Sequence, residues 1–185
     1  MIFSPKTFIN MEAPIFYLNG KPLEIVSKIK YLGCIISSDG YDNLDIARMV
    51  RSIYATGNVL IRKFYMCTTD VKVKLFNSYL TSFYGLTVWY NYSNDSFSKL
   101  SVAYKRIFRG FFNIPLINTS TTENMLNVCV KPLQILQRNL LFSFYNRLTK
   151  SDNDIISNIL DNTLYFQSLF FKHYFKKLYL HDVQF

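Results

Sequence analysis

Acids, thiols and imidazoles are few in this 185-residue chain, and their spacing limits the chemistry open to it. Two-metal phosphoryl chemistry needs carboxylates that hold two cations roughly 4 Å apart. No two acidic residues are adjacent anywhere in the sequence. Asp39, Asp42 and Asp45 cluster, but their three-residue spacing does not match a calcium-binding loop. They read as turn and helix-start residues instead. No glycine-rich phosphate loop, GxSxG elbow or HExxH motif occurs. Cys34, Cys67 and Cys129 are far apart and form no CxxC, so no zinc site is read here. They read as reduced, mostly buried thiols in an intracellular protein. His173 and His181, eight residues apart, read as packing or surface residues of a last helix. The residues themselves therefore describe a binding protein with no cofactor of its own.

The basic residues say more. The chain carries a net charge of +9, which favours an anionic partner, nucleic acid or a membrane surface. Between residues 46 and 111 stand Arg48, Arg51, Arg62, Lys63, Lys72, Lys74, Lys99, Lys105, Arg106 and Arg109, against Asp70 and Asp95 alone. Eight of the nine excess charges thus fall in the middle third. Solvated helix faces would produce some asymmetry, but the near absence of acids marks an electrostatic site.

The elements that position these residues follow from periodicity. Ile15–Leu18 and Leu23–Val26 flank Asn19-Gly20, a dipeptide suited to the positive φ of a tight hairpin. Pro22 cannot donate to a ladder, which puts its strand at an edge. A third strand is expected over Ile29–Ile36, ending at Ser37-Ser38-Asp39-Gly40. From Asn43 the period becomes 3.6: Ile46, Met49, Ile53, Gly57, Leu60 and Phe64 mark one helical face. Arg48, Arg51 and Arg62 then fall within about 60° of one another on the opposite side, a basic ridge suited to a phosphate backbone.

A second helix is expected from Thr68 or Thr69, carrying Val71, Leu75, Phe76, Tyr79, Phe83, Leu86 and Trp89. A third runs from about Asp95 to Phe112, with Leu100, Tyr104, Ile107, Phe108 and Phe111 inward and Lys105, Arg106 and Arg109 outward. Ser120–Glu123 is a capping box, Pro132 starts another helix, and two more helical segments follow Asp154. The fold class is α+β, mostly α: a short antiparallel hairpin or three-strand element, then a helical bundle. Leu75–Asn94 holds twenty residues without a formal charge, long enough to cross a bilayer. Asn77, Ser78, Thr81, Ser82 and Gly85 make it too polar for that, and a buried helix with a small-residue stripe is expected. Met1–Asn10 has no apolar signal region.

Lys30-Tyr31-Leu32-Gly33-Cys34-Ile35-Ile36 is similar to the KYLG-hydrophobic segment near the end of the palm in non-LTR (LINE-type) retrotransposon reverse transcriptases. Met1–Lys6 resembles the tail of the preceding strand, and Tyr17–Leu23 the hairpin leading into KYLG. Arg48, Arg51, Tyr54, Gly57, Asn58, Arg62, Lys63 and Phe64 resemble the family's first thumb helix. Val71–Phe76, Ser78-Tyr79, Thr81-Ser82 and Tyr84-Gly85 resemble the second. Trp89, Leu100, Ala103, Tyr104 and Arg109 fit the continuation. KYLG alone is a weak signal; the ordered series over residues 1 to 110 is specific, and it fades beyond about residue 115.

The resemblance implies a division into a palm-end β remnant (1–40), a thumb-like helical region (41–115) and a C-terminal helical region (116–185). It implies that Tyr31, Leu32 and Gly33 belong to a primer-contacting hairpin. Arg48, Arg51, Arg62 and Lys63 would belong to a thumb that holds the template–primer duplex. Lys72, Lys74, Lys105, Arg106 and Arg109 complete the expected nucleic-acid-binding set from the charge reading. The family's Tyr-x-Asp-Asp motif and metal-binding aspartates are not in this sequence, so Mg belongs only to the full polymerase. The expected partners are an RNA/DNA duplex and the upstream polymerase segment, in the nucleus, with no membrane span. The alternatives are a domesticated nucleic-acid-binding remnant and a helical protein-interaction module.

Overall fold

A computed structural model describes residues 15–115 and 120–179. Met1–Lys6, the rest of the segment through Asn10, and His181 lie outside the described residues. The chain is α+β and mostly α. Two small two-stranded antiparallel sheets precede a succession of helices.

The first hairpin pairs β1 (Tyr17–Leu18) with β2 (Lys21–Pro22), in register Tyr17↔Pro22 and Leu18↔Lys21. Asn19 (φ 51°) and Gly20 (φ 76°) make the turn, the left-handed pair such a two-residue loop requires. The expected single strand over Ile29–Ile36 is instead a second hairpin, β3 (Lys28–Tyr31) and β4 (Cys34–Ser37). It folds back at Leu32 (φ 45°) and Gly33 (φ 85°). Leucine rarely enters that region, and this is why an apolar β-branched run concealed a turn.

The helices begin with α1 (Asn43–Phe64), α2 (Thr69–Tyr79) and α3 (Asn94–Phe112). The expected continuation of α2 through Trp89 does not occur. Thr81 Oγ1 turns back to donate to the Asn77 carbonyl. Short turns then follow, Leu86 N–H to Phe83 O and Val88 N–H to Gly85 O. Gly85 sits at φ 96°, which a helix cannot accommodate. Phe83, Leu86 and Trp89 still point into the core, but from an irregular segment. No helix among the described residues is long and apolar enough to cross a membrane.

α1 and α3 run parallel, since their starts meet at a Ser93 N–H to Asn43 Oδ1 bond and Gly57 faces Ile107 further along. A Cβ on Gly57 would stand 2.4 Å from Ile107 Cγ2, so the missing side chain is what lets the helices approach. Gly57→Val is expected to lower stability by about 2–3 kcal/mol through overpacking, read as a lowered urea midpoint at constant slope. Between these helices and α2, Phe76 meets Tyr104 and Phe108 edge-on at 5.4 and 5.6 Å, geometries that suit aromatic quadrupoles.

Asn113 ends α3 in the left-handed conformation (φ 55°), its N–H returning to the Arg109 carbonyl. The expected capping residue Ser120 opens α4 (Thr121–Asn127) and accepts from the Glu123 N–H. Pro132 is the N-cap of α5 (Leu133–Thr149). Met125, Val130, Leu133 and Leu136 join the same buried cluster as α1–α3. Three short helices follow where two were expected: α6 (Asp154–Asp161), α7 (Thr163–Gln167) and α8 (Leu169–Tyr179).

α8 docks partly through His173, whose Nε2 lies 3.3 Å from the Tyr92 hydroxyl. That hydroxyl also accepts from Gln137 of α5. Burial, reinforced by Lys177 and Lys176, brings His173 down from 6.5 to about 4. An unfolded imidazole takes up its proton near 6.5, so His173 stabilises the fold above that pH and loses this as pH falls toward 4. Between pH 6.5 and 5 the loss is expected to be about 1 kcal/mol for a half-exposed ring. Denaturant melts of His173→Asn should show a flatter dependence over that window.

Candidate nucleic-acid interface

The start of α1 is laced to the segment after α2 by the two carboxylates that the sequence marks as helix-start residues. Asp42 is the N-cap, but its side chain does not cap α1. It accepts instead from the backbone N–H groups of Tyr90 (2.9 Å) and Asn91 (2.8 Å). Burial pushes its carboxyl above the ordinary range despite those two donors. Asp39 behaves as expected of a turn residue, accepting from the Tyr41 N–H.

Asp45, 2% exposed, is the centre of the junction. Its Oδ1 accepts from the Ile35 N–H of β4 at 2.8 Å and from Arg48 Nε at 2.7 Å. Its Oδ2 accepts from Trp89 Nε1 at 2.9 Å and Arg48 Nη2 at 3.2 Å. Burial pushes the carboxyl up, and Arg48, Ile35 and Trp89 more than offset it, leaving it below the ordinary carboxylate range. Gly85 passes so close that a Cβ there would meet Asp45 Oδ2 at 3.0 Å and Cys34 Sγ at 3.2 Å. One carboxylate thus joins hairpin, helix and irregular segment. Sequence reasoning missed this centre. The available signals were an Asp–Arg pair three residues apart and the single tryptophan.

The basic residues divide into exposed and engaged groups. Arg48 is not part of an outer ridge: it pairs with Asp45 and reaches the Tyr84 carbonyl at 3.4 Å. Lys72, only 6% exposed, lays its ammonium over the Phe111 ring, 5.6 Å from the centroid. Its long stem runs along apolar surface, as lysine permits, so it does not face outward either. Arg109 donates to Thr121 Oγ1 and to the Pro115 carbonyl. Arg51, Arg62, Lys63, Lys74 and Arg106 are exposed, and Lys105 is half-buried. Among the described residues no carboxylate stands within ion-pair reach of these six; the pairs found are Arg48–Asp45 and Lys99–Asp95.

Helix geometry brings three of the exposed arginines to one seam. Ile61 Cδ1 lies 3.1 Å from where a Cβ on Gly110 would stand. At about 100° per residue, Arg51 and Arg62 lie roughly 80–100° round α1 from Ile61, away from the buried stripe. Arg106 lies about 40° round α3 from Gly110, on the flank facing the same seam. Arg51 and Arg62 stand about 16 Å apart along α1, the rise of roughly five base pairs. On the α3 side a groove of about 640 Å³ is lined by Val102, Lys105, Arg106, Arg109, Gly110, Asn113, Ile114 and Thr121, with no residue of α1 in its wall.

Tyr31, Leu32 and Gly33 sit on the tip of the second hairpin. Leu32 is 72% exposed, and a Cβ on Gly33 would stand 3.4 Å from the Tyr84 ring. The tip and the seam belong to different elements, joined through Asp45. Among the cysteines, Cys34 and Cys67 are half-buried, whereas Cys129 is exposed, contrary to the expectation of mostly buried thiols. Among the described residues no three acids, thiols or imidazoles are grouped to hold a metal ion. Comparison with protein-family models, curated proteins and solved structures found no match.

Proposed function

We propose that this chain is the palm-end and thumb portion of a non-LTR retrotransposon reverse transcriptase. Its α1–α3 layer holds the RNA/DNA template–primer duplex and performs no chemistry alone. The observation that carries the reading is the seam of Arg51, Arg62 and Arg106. These are three exposed guanidinium groups without carboxylate partners among the described residues, in the segment that resembles the thumb. Guanidinium groups suit phosphate oxygens through paired N–H donors. The tight turn at Leu32-Gly33 is a second support, because the KYLG-like residues form an exposed hairpin tip rather than a core strand. In this reading the catalytic aspartates and their Mg lie in an upstream polymerase segment, which is also a partner of the hairpins, and the nucleus is the place of work.

The polymerase half of the proposal is tested by mapping the 5′ end of the transcript and reading the frame upstream of Met1. A frame that runs into a Tyr-x-Asp-Asp segment is the expected result. A start codon preceded by an untranslated leader would overturn it and leave a nucleic-acid-binding remnant. A protein-interaction role is favoured by a separate observation, the exposed apolar side chains on the hairpins and on α6.

A further inference from the structure

The outer side of α1 carries one line of side chains that the fold leaves unused. Arg51, Ala55, Asn58, Arg62 and Tyr65 are all exposed. At about 100° per residue the last four fall within about 40° of Arg51, on the side opposite the buried Met49, Ile53 and Leu60. Tyr65 is the C-cap and keeps helical dihedrals (φ -62°, ψ -28°), so it continues the line. Among the described residues, Arg51, Asn58, Arg62 and Tyr65 make no side-chain hydrogen bond, ion pair or ring contact. Exposed tyrosines are ordinary, and Tyr79 and Tyr84 are others. Tyr65, 56% exposed, differs in standing at the end of that line.

The end of the line suits an uncharged ring better than another phosphate. The last carbonyls of α1 put negative charge there, and Asp70 follows in the first turn of α2. A nucleobase has no charge to oppose them, and its face stacks on an aromatic ring. The spacing fits as well. Tyr65 lies about 4.5 Å beyond Arg62 along the axis, against a rise of about 3.4 Å per nucleotide. A strand whose phosphate meets Arg62 therefore brings a neighbouring base to the ring.

We propose that Tyr65 is a stacking platform for an unpaired base, in a single-stranded overhang that continues from the duplex along α1. Inside a duplex each base face is covered by its neighbours, so the ring needs a base outside it. The inference rests on the seam holding a nucleic acid. It adds a preference for a junction of duplex and single strand over a blunt duplex.

Fluorescence anisotropy at one fixed salt concentration tests this, with an RNA–DNA hybrid that is blunt or carries a short 5′ or 3′ overhang. At least one overhang is expected to bind ~5-fold or more tighter than the blunt hybrid. Tyr65→Ala removes that gain, Tyr65→Phe keeps it, and the blunt hybrid binds all three proteins alike. An abasic overhang of equal length keeps the phosphates and lacks the bases, so it should bind ~5-fold or more weaker than the natural one. Equal binding of blunt and extended hybrids would overturn the proposal. So would a gain that survives Tyr65→Ala or abasic substitution, or a Tyr65→Ala loss shared by the blunt hybrid. Those outcomes leave duplex holding by the arginines standing, whereas a chain that binds none of the ligands ends both.

Discussion

Asp45→Ala is expected to cost about 3–5 kcal/mol, the range for removing one partner of a buried ion pair. The full range applies because the carboxylate serves three partners. Its loss leaves the Ile35 N–H and the Trp89 indole N–H without their acceptor, and Arg48 without its counter-ion. Arg48 remains partly exposed and regains some hydration, which keeps the loss from exceeding that range. Against a total stability of about 5–15 kcal/mol, such a loss brings the chain close to unfolding at ordinary temperature. Asp45→Asn keeps one acceptor oxygen but loses the charge and turns the other oxygen into an NH2 group facing donors, so it should fall between wild type and Asp45→Ala. Urea denaturation measures all three. A loss under 1 kcal/mol for Asp45→Ala would show that the junction does not depend on this carboxylate.

The same residue gives the fold an acid sensitivity with a definite sign. Asp45 titrates below its ordinary 3.8, so its contribution is complete above that value and disappears as pH falls further. Asp42, raised by burial, acts in the opposite sense and gains from protonation. His173 loses its contribution at higher pH than Asp45. The two stages are separable, because only the first is absent in His173→Asn.

What was legible in the sequence was local. The faces of α1 and α3 follow from 3.6-residue spacing, and the buried residues Ile46, Met49, Ile53, Leu60, Leu100, Tyr104 and Phe108 lie on them. Asn19-Gly20, Ser120 and Pro132 announced a turn and two helix starts by their own backbone chemistry. What was hidden was non-local or left-handed. Phe83, Leu86 and Trp89 recur every three residues, a spacing that serves successive turns as well as a helix. Leu32 gives no sign of its positive φ. Arg48 has the same residue type and side of the helix as Arg51, and only the folded chain brings Ile35 and Trp89 to the carboxylate beside it. Lys72 reads as a surface charge because nothing local reveals that Phe111 will lie under its ammonium.

That sorting changes which arginines should hold a duplex. Arg48 belongs to the junction, and Arg106 takes its place beside Arg51 and Arg62. Each phosphate contact contributes about −0.9 to the slope of log K against log salt for duplex DNA. Arg51→Ala/Arg62→Ala/Arg106→Ala should therefore flatten the slope by up to ~2.7, with weaker binding at low salt. Between 50 and 200 mM salt the wild-type chain should then lose about 40-fold more affinity than the triple variant. Lys72→Met serves as the control, since a buried ammonium over Phe111 contacts no phosphate.

Fluorescence anisotropy of a labelled RNA–DNA hybrid, titrated with wild type, triple variant and Lys72→Met at several salt concentrations, decides the matter. Duplex holding by the α1–α3 seam predicts a steep wild-type slope, a slope flatter by two to three units in the triple variant, and no change in Lys72→Met. A triple variant with the wild-type slope, or a wild-type chain whose binding is indifferent to salt, would contradict it.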